Sequence, residues 1–400
     1  MAVRQKDKRQ GDILDRKIAP PIKDAIEFQL ELPPYKKHVL SNGVEVYAID
    51  MGNVDALMVS WIFDAGNWYE TRTGIAAAAN GLLKNGTSTR SAFDINEHFE
   101  YYGAYLNRAC HHETAELTLH CLNKHVDELL PVVAELLTDS VYPSEELAIY
   151  SKNGQQRLQV NLKKSEFVAT RLIDQLERIF GGLPMHAPAK EIATGVNGVT
   201  GGNGAAPGLV HPIVPAIQKK YNIVNDPNGV QGSIRIARNF PNRHHPDFQK
   251  FQVLNNVFGG FFGSRLMTNI REDKGYTYGI HSYLVNNKQE SALMISTEAG
   301  KDVCAATIEE VYKEMDLIRE ELIDDEELQM ARNFTIGTIL GDLDGPFHVA
   351  GRWKNILLNG LDGNYFNEGI RIIKTITPGE LQELAKKWLD PAEFFELVVV

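Results

Sequence analysis

The sequence predicts an α+β fold built twice on one plan, with antiparallel-rich sheets and helices packed on one face. The order strand, loop, helix, helix, strand pair, helix, helix is read once between residues 56 and 180 and again from residue 230 onward. Strand segments are rich in β-branched and aromatic residues, whereas helix segments repeat apolar residues every three or four positions. At 400 residues the chain is too long for one average domain, and an apolar fraction of 43% is ordinary for a globular core.

In chain order, residues 1–34 are polar and interrupted by Pro20, Pro21, Pro33 and Pro34, which predicts an extended arm. Residues 37–50 read as a hairpin closed by Asn42-Gly43 as a type I′ turn. A strand over 56–63 precedes a loop and then a helix over 74–83, in which Ile75, Ala78, Ala79 and Leu82 share a face. A second helix is expected over 94–102, then strands over 104–109 and 115–122. Val126, Leu129, Leu130, Val133 and Leu137 mark an amphipathic helix, and Ser144 caps a long one running toward Phe180. The second half offers a strand over 230–237, a helix over 248–258, strands over 276–284 and 292–297, and an amphipathic helix marked by Ile308, Val311, Met315, Ile318 and Leu322. A further helix starts near Asp325, with a break at 342–346. Thr377-Pro378-Gly379-Glu380 is a capping box opening the last helix, and 394–400 is a closing strand. Between the halves, residues 181–228 are glycine- and proline-rich, the composition of a linker or of a trimmed domain end.

Charge and cysteine usage exclude several function classes. A net charge of −11 argues against sequence-independent nucleic-acid binding, which needs Lys and Arg to meet phosphate. Cys110, Cys121 and Cys304 form no disulfide framework and no CxxC pair. No signal-peptide core follows Met1 and no run of 18 apolar residues occurs, so no membrane association is expected. The expected compartment is the cytoplasm, with the periplasm left open. No G-x-S-x-G or phosphate-loop pattern is present.

The most informative stretch runs from Gly259 to Leu284, GGFFGSRLMTNIREDKGYTYGIHSYL. It reads as a glycine turn, a helix from about Ser264 to Asp273 with Ser264 as N-cap, a stop at Gly275, and a strand. Leu266, Met267 and Ile270 form the buried helical face. Strand alternation puts Tyr278, Ile280, Ser282 and Leu284 on one face and Thr277, His281 and Tyr283 on the other. Arg271 and Tyr278 stand seven residues apart across one glycine turn, so a guanidinium and a phenol can converge.

This stretch resembles the C-terminal half of M16 (pitrilysin-like) zinc peptidases, in particular the two-domain bacterial and mitochondrial processing type. The resemblance covers residues 35–180 and 229–400 and implies two homologous α/β-sandwich domains. It also implies that Arg271 and Tyr278 bind a peptide substrate's backbone opposite a zinc site, with Gly259, Gly260, Ser264 and Arg265 of the lead-in at the substrate. In active members the helix matching residues 74–87 carries HxxEH, two zinc-binding His with the general-base Glu between them. Here those positions are Ala77, Asn80 and Gly81, and no HxxEH or HExxH occurs in the chain. The third ligand is expected as a Glu near residues 155–158, yet no Asp or Glu lies between Glu146 and Glu166. An HPYG-like turn, a helix and a strand that normally complete the first domain are not found.

The resemblance implies a non-catalytic subunit, with no metal of its own, that works with an HxxEH-bearing M16 partner carrying zinc. The alternative is a stand-alone peptide-binding or assembly protein with an inactive M16 fold. A remote third reading places a metal at His111, His112, Glu113 and His120. The isolated chain is expected to be inactive and to contain no stoichiometric zinc. Elemental analysis of the purified protein checks this, and about one zinc per chain contradicts it.

Overall fold

The computed structural model describes residues 23–52, 55–170, 218–288 and 291–400. The described residues open with a short 3-10 turn, Ala25–Glu27, capped by the Asp24 carboxylate. A hairpin follows, β1 (Lys36–Val39) with β2 (Glu45–Ala48). Its loop is wider than the Asn42-Gly43 pair predicts. Leu40 and Val44 bond across it, Gly43 sits at φ 84°, and Tyr142 is the one non-glycine residue at positive φ among the described residues. Asn42 therefore lacks the geometry of a type I′ turn, which requires positive φ at both central positions. The three-residue loop with a left-handed glycine replaces it.

The first sheet has the order β3 (Ala56–Phe63), β5 (Ala115–Leu122), β4 (Tyr105–Cys110), all antiparallel. Between β3 and β4 run α1 (Ile75–Leu82) and α2 (Ala92–Tyr101), the latter opened by a Ser91–Asp94 capping box. α3 (Val126–Asp139) and α4 (Ser144–Asn161) follow β5. Period-two alternation in β5 sends Leu117, Leu119 and Cys121 into a core with Ile95, Phe99, Leu129, Val133 and Leu136. Ser144 is the first helical residue of α4 and makes no side-chain cap. Most of the predicted 181–228 linker lies outside the described residues.

The second sheet has the order β6 (Lys220–Ile223), β10 (Phe395–Val399), β7 (Gln231–Phe240), β9 (Ser291–Gly300), β8 (Thr277–Asn286). Its β7-β9-β8 part repeats the β3-β5-β4 order with the same antiparallel pairing, which is the predicted duplication. β6 pairs parallel with β10 and falls inside the predicted linker, so the second domain begins earlier than residue 229. Helices α5 (Asp247–Asn255), α6 (Cys304–Glu320), α7 (Asp325–Asp342), α8 (Pro346–Leu358), α9 (Gly363–Thr375) and α10 (Pro378–Trp388) surround the larger core. The Thr377–Glu380 capping box is formed as predicted, whereas α8 and α9 have no counterpart in the sequence reading. Residues 165–170 reach the sheet's other face through Ala169, against Met294, Leu397 and Val399. Among the described residues no helix is long and apolar enough to cross a membrane.

The N-terminal segment is placed differently from its sequence assignment. Ala25 and Leu30 are buried in the core of the second domain, with Phe28, Leu32, Tyr35, Ile49 and Met51 packed against it. The Trp353 indole donates to the Pro33 carbonyl at 2.7 Å, and its ring meets Tyr35 edge-on at 4.6 Å. The arm and the hairpin base therefore serve the second domain, where Trp353 of α8 holds Pro33 and Tyr35. Trp353→Ala is expected to cost about 3–5 kcal/mol, the range for truncating a buried aromatic. Trp353→Phe, which removes mainly the hydrogen bond, should cost about 1 kcal/mol. Denaturant unfolding of both variants measures the difference.

Candidate functional site

The turn that carries Arg271 is set by close packing. A side chain at Gly259 would stand 2.7 Å from Ser282 Cβ and 2.8 Å from Leu266 Cδ1, so glycine lets the turn press against β8. At Gly260 the same atom would meet Asn256 Oδ1 at 2.5 Å. Leu266, Met267 and Ile270 are buried as predicted. The segment Met267–Asp273 is a π-helix, whose hydrogen bonds reach five residues along the chain where those of an α-helix reach four. It closes through Lys274 N donating to Asn269 O at 3.0 Å, and Gly275 at φ 68° ends it. The widened turn carries Arg271 outward, with its guanidinium carbon 4.6 Å from the Phe262 ring centroid. Such cation–π contacts hold a guanidinium plane over the ring.

Tyr278 does not follow the strand alternation. Thr277 pairs with Ala299 but Ile280 pairs with Thr297, so one extra residue is inserted in β8. This β-bulge shifts the phase. Ile280 and Ser282 are buried together, whereas Tyr278, expected on their face, is 92% exposed. The inserted peptide group is satisfied by two threonines. Thr277 Oγ1 accepts from Gly279 N at 3.1 Å and donates to Glu298 O at 2.6 Å, and Thr297 Oγ1 donates to Gly279 O at 2.9 Å.

The bulge and the π-helix open on one concavity of about 550 Å³. Arg271, Glu272, Tyr276, Thr277 and Tyr278 line one side, and Gln231, Glu298, Ala299 and Gly300 the other. Sequence reasoning missed Gln231 and Glu298. Glu298 accepts from Ser233 Oγ and from Arg235, each at 2.9 Å, and Arg235 is 6% exposed. An arginine inside an apolar strand was the available signal, since a buried charge demands a partner.

The other lead-in residues lie away from this lining. Ser264 is 1% exposed and its Oγ has no partner, so its side chain caps nothing. Arg265 grips Glu327 with two bonds of 2.7 and 2.8 Å, fixing α7 to the turn. Gly259, Gly260, Ser264 and Arg265 build the support of Arg271 and do not face the concavity.

The positions of the lost metal motif lie on α1. Asn80 Nδ2 donates to Glu116 O at 3.3 Å. Gly81 packs under Tyr150 of α4, where a β-carbon would stand 2.9 Å from Tyr150 Cε2. Arg108 donates to the Gly81 carbonyl, and burial pulls its pKa below the usual arginine range. A donor-free alanine and glycine, an amide and a nearby guanidinium do not suit a divalent cation. Among the described residues no group of three or more His, Cys, Asp or Glu side chains could hold one.

The His111 segment is a turn between β4 and β5, and its groups are used in packing. His112 stacks edge-on against Trp68 at 5.1 Å. The Glu113 carboxylate accepts from Lys288 N at 2.9 and 3.0 Å, while burial raises its pKa. Glu116 pairs with Lys354 at 2.9 Å, and His120 meets the Phe347 ring. The Glu113, Glu116 and His120 contacts join the two halves.

Two family models match successive, overlapping stretches that together span residues 50–334. One, described as Insulinase (Peptidase family M16), covers residues 50–179, and the other, described as Peptidase M16 inactive domain, covers residues 167–334. The chain belongs to the M16 peptidase family. An uncharacterized zinc protease of Bacillus subtilis, YmxG, is 21% identical over 366 residues, 81% of this chain and 88% of that protein. An uncharacterized zinc protease of Rickettsia felis is 30% identical over 111 residues, 27% of each chain. Among solved structures, a peptidase M16 inactive domain from Pseudomonas fluorescens superposes with TM-score 0.74 at 18% identity, over 91% of this chain and 98% of that one. A protease from Helicobacter pylori gives 0.73 at 12% identity, over 92% and 100%. The periplasmic protease PqqL of Escherichia coli gives 0.67 at 11% identity, over 93% of this chain and 46% of that one. The structural likenesses show the M16 fold, the two-domain α+β architecture predicted from the sequence.

In this M16 chain the bulge that aims Tyr278 depends on Thr277. Thr277→Val removes the acceptor of the Gly279 amide at nearly constant volume. The expected loss is about 1 kcal/mol, with several-fold faster hydrogen exchange at Gly279 and little change in β9. Residue-resolved amide exchange checks this.

Proposed function

We propose that this chain is the non-catalytic, substrate-binding subunit of a heterodimeric M16 zinc peptidase. The observation that carries the reading is the convergence of Arg271 and Tyr278 on one open concavity, in a chain whose Ala77, Asn80 and Gly81 cannot serve a metal. The zinc belongs to an HxxEH-bearing partner, where it supplies a polarised water for peptide-bond hydrolysis. The work of this chain is orientation and charge stabilisation. Arg271 offers several fixed donors to peptide carbonyls, and the exposed Tyr278 hydroxyl adds one more. Glu298, neutralised by Arg235, supplies a polar wall without an unpaired charge. Held donors matter because they are not reorganised when charge develops.

Co-purification of the tagged chain from its native cells tests for the partner. With the pair in hand, Tyr278→Phe is expected to lower kcat by roughly 10²–10³, the cost of one lost oxyanion donor. Arg271→Lys should also fail, because an ammonium cannot reproduce the planar fork. Subunit pairing should stay intact in both. Near-normal turnover in both variants refutes the role given to these residues. A chain that co-purifies with no peptidase supports instead the stand-alone peptide-binding protein.

A further inference from the structure

The turn that carries Arg271 is tied from the side by α6. Asn269, half-buried, stands two residues before Arg271 in the π-helix. Its main-chain oxygen accepts from Lys274 N at 3.0 Å, the bond that closes the wide turn. Its side-chain Nδ2 donates to Glu314 Oε1 at 2.8 Å and to Glu310 Oε2 at 3.2 Å. The Lys274 ammonium reaches Glu310 Oε1 at 3.7 Å. Both residues of the closing bond are therefore tethered to one carboxylate. Glu310 and Glu314 lie one turn apart on α6, and each is only 8% exposed.

Two buried carboxylates, where apolar residues would pack at no electrostatic cost, call for a reason. Burial raises the pKa of Glu314, and the Asn269 bond and the Arg265 charge work against that rise. The π-turn is the geometry that needs holding. Its closing bond spans Arg271, and successive residues of an α-helix stand about 100° apart around the axis. Relaxation of the five-residue bond to a four-residue one would turn Arg271 around that axis, off the Phe262 ring and away from Tyr278. We propose that Asn269, gripped by Glu310 and Glu314, is the positioning residue of Arg271, holding the turn at its five-residue spacing so that the guanidinium stays on the concavity. The inference rests on the substrate-binding reading above and adds to it a residue that touches no substrate.

The test begins on the full chain alone. In Asn269→Asp the donor becomes a third carboxylate facing Glu310 and Glu314. The Lys274 and Tyr276 amides donate to Asn269 O and Ile270 O. Their hydrogen exchange should quicken about tenfold, with no change along β7 and β9. Asn269→Asp combined with Glu314→Gln reverses the polarity of the same bond and should restore most of the protection. Unchanged exchange in Asn269→Asp overturns the proposal, as does faster exchange throughout β7 and β9, which would mean that Asn269 serves the whole fold. The co-purified pair then gives kinetics on the peptide of a tryptic casein digest that it cleaves fastest. Asn269→Asp should lower kcat by roughly 10–10²-fold, the cost of a misplacement of about 1 Å, with pairing intact, and the reversed pair should recover it. In the Arg271→Lys background Asn269→Asp should add no further loss, because it acts through that guanidinium. Additive losses overturn the positioning role. Slow turnover in Arg271→Lys with normal turnover in Asn269→Asp sinks that role alone, whereas normal turnover in Arg271→Lys sinks the substrate-binding reading and the role with it. If no peptidase co-purifies, the same digest is passed over the immobilised full chain. Retention should fall in Asn269→Asp and return in the reversed pair. Equal retention by the wild type and Asn269→Asp refutes the proposal.

Discussion

The ten-residue ladder between β7 and β9 is the constraint on which the candidate site depends. It runs without a break from Gln231 opposite Gly300 to Phe240 opposite Ser291. Ile234, Ile236, Leu293 and Ile295 bury its inner face, so the ladder cannot slip by one residue without exposing a core. Gln231 and Glu298 to Gly300 line the concavity from the ladder's end. Tyr278 is registered against it through β8. Arg235 adds a second tie, because its buried charge is stable only against Glu298. The geometry of the site is therefore inherited from the domain core.

The first domain shows how the place of a metal motif is filled. Glycine at position 81 admits the Tyr150 ring, and Arg108 reaches the freed carbonyl. These features agree with one another, since the Tyr150 ring takes the space a side chain at position 81 would need. The outer face of the first sheet is given instead to the other half of the chain. Glu116 meets Lys354, and Glu113 and Asp64 meet the Lys288 end of β8. Burial raises the pKa of Glu113, and the Lys288 amide partly offsets this by donating to the carboxylate. Glu113, Glu116 and His120, which look like donors in the sequence, are joints between the halves.

The sequence by itself determined the features whose causes are local. Leu266, Met267 and Ile270 share a face at helical spacing and are buried, and the Thr377–Glu380 box caps its helix because all its bonds lie within four residues. The duplicated order of elements and the proximity of Arg271 to Tyr278 could be read in the same way, whereas the absent metal donors at Ala77, Asn80 and Gly81 were implied by the family resemblance. Tertiary structure decided what depends on partners distant in sequence. The bulge that turns Tyr278 outward is stabilised from β9, by Thr297 and the Glu298 carbonyl. β6 is a strand only because β10, far along the chain, pairs with it. The arm and hairpin join the second domain because Trp353 offers a surface there. Glu298 enters the site because a buried arginine on the neighbouring strand holds it. Periodicity reports how a segment meets a generic interior. Which surface it meets, and where a strand must break phase to present a side chain, is fixed only when the distant chain arrives.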